Sequence, residues 1–112
     1  MKNSLLGAGC LLAACALAGL PAQAQDLRAG FEKSRQCANC HGADGIAVAA
    51  NAPNLAGENA TYVAAQLKAF RGGERRHHQM NLIASGLSDD DISDLALWFS
   101  KIIVTATIPV ID

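Results

Sequence analysis

The chain of 112 residues lacks a surplus of positive charge: nine Lys and Arg stand against ten Asp and Glu, a formal net charge of -1. Without that surplus there is no electrostatic footprint for a polyanion, and nucleic acid is not an expected partner. The sequence also lacks an internal repeat, a low-complexity segment and any convincing set of alternating apolar and polar positions. Neither a repeat architecture nor a sheet is therefore expected. Its longest apolar stretch, Leu5 to Leu20, falls short of the roughly 20 residues that a membrane span needs and is interrupted by Pro21. Stable membrane insertion is not expected either.

That stretch has the parts of an export signal instead. Lys2 supplies the positive start, Leu5 to Leu20 the apolar centre, and Ala22-Gln23-Ala24 a small-x-small cleavage site. Residues 1–24 are read as a cleaved signal, with the mature chain starting at Gln25 and the periplasm as its location. A rival reading starts from Leu12-Ala13-Ala14-Cys15, which resembles the lipobox of bacterial lipoproteins and would make Cys15 a lipid-anchored N-terminus. The apolar run continues past Cys15 to Leu20, which favours cleavage after Ala24.

Cleavage there leaves eight basic and ten acidic side chains, a net charge of -2, and reduces four cysteines to two, Cys37 and Cys40. Two cysteines cannot make a multi-disulfide scaffold. The remaining residues, 25–112, make one domain, read as 25–104 with a tail at 105–112. That is near the lower size at which a core of protein alone is comfortable, so a large apolar cofactor would help to fill it.

The mature chain reads as all-α, with about three main helices and long loops. Asp26 to Gln36 has an N-cap in Asp26 and an apolar pair in Leu27 and Phe31. A second helix starts near Asn59, carries Tyr62, Val63, Gln66, Leu67 and Phe70 along one side, and stops at Gly72-Gly73. The third is announced by Ser88 and the acidic first turn Asp89 to Asp91, and its stripe is Ile92, Leu95, Phe99 and Ile102. Gly42 to Gly57 and Gly73 to Gly86 read as loops, and a loop as long as the first is expected to have a reason, such as wrapping a cofactor.

Chemistry concentrates in Cys37-Ala38-Asn39-Cys40-His41, the C-x-x-C-H pattern of covalent c-type haem attachment. Two thiols three positions apart can reach the two vinyl groups along one haem edge, while the adjacent imidazole meets the iron from one face. A disulfide, a thioredoxin-like pair and half of a zinc site are the competing readings. The redox pair needs the motif to open a helix in a βαβ setting, whereas here it closes one. Zinc would need further ligands, and only the adjacent His77 and His78 remain. For the opposite face of the iron, Met80 is the one methionine outside the signal and sits among polar residues, which favours ligation over packing. His77 or His78 is the alternative, giving a bis-His haem of lower potential.

With these residues in place the chain resembles the class I cytochromes c, most closely the small bacterial c4 and c553 types. The likeness runs from Ala29-Gly30 through CANCHGADG, PNLAGENATYVAAQLKAFRGGER and the Met80 segment to GLSDDDISDLALWF. It implies the cytochrome c fold around one covalently bound haem c, with Cys37 and Cys40 as thioether attachment points and His41 and Met80 as axial ligands. It also implies that the carbonyl of Pro53 accepts the imidazole N–H of His41, and that Gly30 and Trp98 form the close contact of the first and last helices. Four features depart from the pattern: one domain where c4 usually has two, Trp98 where Tyr is common, and the unassigned run Arg75-Arg76-His77-His78 and apolar tail after Ile103.

The function implied is one-electron transfer between redox proteins such as a dehydrogenase, a cytochrome complex or a terminal oxidase, with no substrate transformed. Two rivals stay in view: an open, five-coordinate haem with peroxidase-like or gas-binding behaviour, and a subunit held permanently on a redox enzyme through the apolar tail.

Overall fold

The computed structural model describes residues 24–111, so the expected signal, with Cys15 and its lipobox, lies outside the described residues except for Ala24. Five helices form the framework: α1 (Leu27–Ser34), α2 (Ala38–His41), α3 (Ala60–Gly72), α4 (His78–Ser85) and α5 (Asp89–Lys101). Among the described residues there is no strand, and no helix is long and apolar enough to cross a membrane.

Local chemistry sets the ends of the three longer-range helices as the sequence leads one to expect. Asp26 caps α1 by accepting from the backbone N–H groups of Arg28 and Ala29, and Asn59 caps α3 by accepting from Tyr62. Ser88 and Asp91 form a reciprocal capping box at the start of α5, which also carries Asp89 and Asp90 against the positive end of the helix dipole.

The core is built on α5. Leu87, Ile92, Leu95 and Phe99 form its centre, and Cys37, Leu55, Ala64, Leu67, Trp98 and Ile102 pack around them. On the other side α1 crosses α5 at Gly30, where a Cβ would collide with the backbone carbonyl oxygen of Asp94 and stand 2.9 Å from Trp98 Cβ. Only a residue without a side chain allows that approach. The crossing is pinned by Phe31 against Trp98, with ring centroids 5.0 Å apart, and by the Asp26 N–H donating to Asp94 Oδ1 at 2.7 Å. Lys33 and Asp91 add an ion pair at 2.8 Å.

Four expectations need correction. The face α1 buries is Gly30 and Ser34, while Leu27 and Phe31 stay 44% and 43% exposed, because the near contact of the two backbones pushes larger side chains to the rim. Tyr62 is exposed, while Val63 and Phe70 of the same expected side are buried. The motif, read as the close of the first helix, forms its own turn α2 after three turn residues. Finally, the segment 73–86 is not all loop: α4 occupies most of its second half, capped by the imidazole of His77, which accepts from the Met80 N–H. Beyond Ile102, residues 103–111 have no regular structure and are exposed.

Two outcomes follow for stability. Gly30→Ala should cost about 1–3 kcal/mol in denaturant unfolding, the range for forcing atoms into a filled contact. The Lys33 side chain, and then the Ser88 N–H, hold the Asp91 carboxyl below the usual carboxylate range. Its contribution is therefore present above that range and is lost as pH falls through the lowered value. Asp91→Asn should lower the melting temperature at neutral pH and flatten its decline below about pH 4.

Candidate functional site

The motif begins where α1 ends. Cys37 N–H donates to the Ser34 carbonyl at 2.8 Å, and one turn later His41 N–H donates to the Cys37 carbonyl at 2.9 Å. A spacing of three within that turn sends both thiols off one side of it. Cys37 and Cys40 are half-buried and not joined to each other, and Cys37 leans on the α5 cluster beside Leu55 and Leu67.

Burial, and then the neighbouring Cys40, push the Cys37 thiol up to about 11. A dithiol oxidoreductase needs the opposite, a thiol whose pKa is lowered so that the thiolate can attack. The zinc reading fails on placement: among the described residues no three His, Cys, Asp or Glu side chains converge as a metal site, and His77 and His78 stand exposed at the start of α4.

His41 is buried at 7% exposure. Its Nδ1 lies 2.8 Å from the carbonyl oxygen of Pro53. A carbonyl can only accept, so Nδ1 carries a proton, and in the neutral tautomer this selects, Nε2 is the nitrogen with the free lone pair.

The segment 42–57 is what delivers that carbonyl. Gly42 reverses the chain directly after His41 with φ 77, a left-handed conformation in which a Cβ would also run into the Ile46 carbonyl oxygen. The Cys40 carbonyl then accepts from Val48 and Ala49, and the Gly45 carbonyl from Leu55 and Ala56. Between these two anchors the Asn54 side chain accepts from the Ala47 N–H at 2.8 Å. The loop is thus tied to the motif through Cys40 and to its own first turn through Gly45, with Pro53 between the two lashings.

Met80 stands on a different element from the motif. It lies half-buried in the first turn of α4, which packs chiefly on α3. Asn81 fixes that helix to the end of α3 by donating to the carbonyls of Phe70 and Arg75 at 2.7 and 2.8 Å while accepting from the His77 N–H. Sequence reasoning passed over Asn54 and Asn81. The only signal either gives is an amide side chain in a segment rich in turn residues, a pattern shared with many solvated loops.

The donor set fits a haem in kind: two thiols one turn apart, a buried imidazole hydrogen-bonded through Nδ1, and a thioether on α4. Comparison with known proteins agrees. A family model described as cytochrome c oxidase, cbb3-type, subunit III matches residues 22–99, and cytochrome c-554(548) of Halomonas halodenitrificans is 44% identical over 81 residues, covering 70% of this chain and 98% of that protein. The chain belongs to the c-type cytochromes.

Covalently bound haem c is accordingly its cofactor, and carrying electrons its function. The crystal structure of reduced recombinant cytochrome c4 from Pseudomonas stutzeri superposes with a TM-score of 0.66 at 35% identity, over 71% of this chain and 47% of that one. That assigns the cytochrome c fold to this cytochrome. A protein of Stutzerimonas stutzeri named thiosulfate dehydrogenase electron acceptor is 39% identical over 80 residues, covering 68% of this chain and 37% of that protein. The chain therefore spans nearly the whole of the first relative and less than half of the other two.

Asn54→Ala should test the lashing. Loss of one hydrogen bond is expected to cost about 0.5–1.5 kcal/mol in unfolding. The His41 Nδ1 proton should exchange with solvent faster in the variant, as read by proton NMR.

Proposed function

We propose that this cytochrome is a periplasmic one-electron carrier in which Cys37 and Cys40 hold the haem as thioethers, His41 is the proximal ligand and Met80 the distal one. The observation that carries the reading is the 2.8 Å contact of His41 Nδ1 with the Pro53 carbonyl. It orients the ring, selects the tautomer with Nε2 available, and makes that nitrogen a stronger donor.

Haem supplies the one-electron couple. The residues supply the rest. A thioether from Met80 favours ferrous iron more than an imidazole does, which raises the potential, and its occupancy of the second axial position keeps small ligands out. His77 is a weaker candidate for that position, because its Nδ1 accepts from the Met80 N–H in capping α4, which puts the proton of the neutral ring on Nε2, the reverse of His41. His78 is exposed in the same turn.

The domain proper is 25–104, with 105–112 as a tail. Ile108, Val110 and Ile111 are 88–92% exposed, in keeping with a segment outside the core. Donors and acceptors are redox proteins: a dehydrogenase, a cytochrome complex or a terminal oxidase. The relative named as an electron acceptor of thiosulfate dehydrogenase supports such a partnership, and the chain itself transforms no substrate.

Met80→Ala in the purified holoprotein should leave the haem attached and lower the reduction potential by more than about 100 mV, a modest part of the roughly 0.8 V that axial ligands span. Carbon monoxide should then bind the ferrous form readily. Unchanged potential and unchanged resistance to carbon monoxide would remove Met80 from the iron. Cys40→Ser should sharply reduce the yield of covalent haem, measured by haem stain after denaturing electrophoresis.

A further inference from the structure

The run Arg75-Arg76-His77-His78 has no part in the site described so far. Its surroundings give it one. Four of the chain's nine Lys and Arg fall between residues 68 and 76, with Glu74 as the only acid among them, in a protein whose overall charge is negative. They gather where α3 ends and α4 begins, around an open groove of about 580 Å³ whose walls include Arg71, Arg76, His77, His78 and Asn81.

These cations differ in how far they are already engaged. Arg71 donates to the Leu87 carbonyl at 3.0 Å and pairs with Asp89 at 2.6 Å, so its charge is largely spent within the fold. Arg75 is held in place without being neutralised: its guanidinium lies 4.6 Å from the centre of the Phe70 ring and donates to Gln66. Arg76 is exposed, and neither it nor Arg75 is in an ion pair among the described residues. The Glu74 carboxylate lies against Gly72 at the rim, and with Arg71 paired to Asp89 the segment 68–76 keeps a net charge of +2.

The turn that carries Arg75 and Arg76 is not a loose solvated loop. Asn81 holds its two sides through the carbonyls of Phe70 and Arg75, and the Arg75 N–H donates to the Ala69 carbonyl at 3.1 Å. Positive charge fixed in advance loses little freedom on binding, which is what a docking surface needs. The same Asn81 follows Met80 directly in α4, so the groove adjoins the helix nearest in sequence to the proposed distal ligand.

We infer that the groove between α3 and α4, with Arg76 on its wall and Arg75 beside it in the same turn, is the docking surface for an acidic face of a redox-protein partner. A protruding carboxylate-bearing segment fits a concave basic groove, and opposite charge steers encounter and fixes orientation. A lipid surface suits it less: a polybasic membrane anchor is reinforced by inserted apolar side chains, and Phe70, the one large apolar side chain lining this groove, is buried. The inference rests on the electron-carrying function and not on the identity of the sixth ligand.

The test is stopped-flow reduction of the full-chain ferric holoprotein by a flavodoxin, a small acidic protein whose fully reduced flavin gives up one electron to the ferric haem. The second-order rate should fall about tenfold as ionic strength rises towards 0.2 M, the screening expected for attraction across a charged contact. Arg75→Gln/Arg76→Gln should lower the low-salt rate about fivefold or more and remove most of the salt dependence. Arg76→Gln alone, which breaks no hydrogen bond, should show the same trend. Arg28→Gln/Lys101→Gln, with the same change in net charge, should stay within about twofold of the parent.

Equal losses in the two pairs would mean that net charge and not this groove is sensed, which overturns the inference. So would a rate that ignores Arg75 and Arg76 while the same variant loses its hold on phosphatidylglycerol vesicles, an outcome that gives the groove to lipid.

Discussion

A single hydrogen bond, from His41 Nδ1 to the carbonyl of Pro53 at 2.8 Å, is the constraint around which the site is organised. A backbone carbonyl has no freedom of its own, so it must be brought to the imidazole by everything between residues 42 and 53. Gly42 turns the chain back at once, and the Cys40 and Gly45 carbonyls each accept two N–H groups from the returning strand of loop. A loop of this length with no helix or sheet would otherwise lose its shape to conformational entropy. Here hydrogen bonds to Cys40 of the motif and to its own Gly45 give it one.

The motif has to be held as firmly as the loop. That support comes from α5, against which Cys37 packs, and from the crossing of α1 with α5 at Gly30. The two backbones meet so closely that the larger residues of α1 are forced outward, and Phe31 packs on Trp98 at the rim. The result is a small core in which few side chains are fully buried. A protein of this size gains from a large apolar cofactor, and the covalent attachment makes that gain permanent.

Much of this was legible in the sequence because it depends on local chemistry. Asp26, Asn59 and Ser88 are caps by residue type, and the Ile92, Leu95, Phe99 stripe has helical spacing, so α1, α3 and α5 could be located. The attachment motif is defined by spacing alone. The helix α4 was missed because its cap is an imidazole and its first residues are His and Gln, which look like a polar loop. Which side chains are buried was misjudged at Leu27 and Phe31 of α1, where a backbone contact at Gly30 that no periodicity records decides burial, and at Tyr62 of α3. Asn54 and Asn81 were invisible for a related reason: their partners are carbonyls and N–H groups that only the folded chain brings near.

Electron carriage asks a protein of this kind to fix its iron ligands and to leave partners a way to approach. In the proposed arrangement the first demand falls to elements far apart in sequence, His41 on α2 and Met80 on α4, and the second to charge gathered beside α4. The central claim is that these two side chains share one iron, and the most direct measurement is the visible spectrum of the purified holoprotein, oxidised and then reduced. The account predicts a sharp low-spin c-type spectrum in the reduced form and, in the oxidised form, the weak far-red band of iron bonded to a thioether. A c-type spectrum without that band would contradict it.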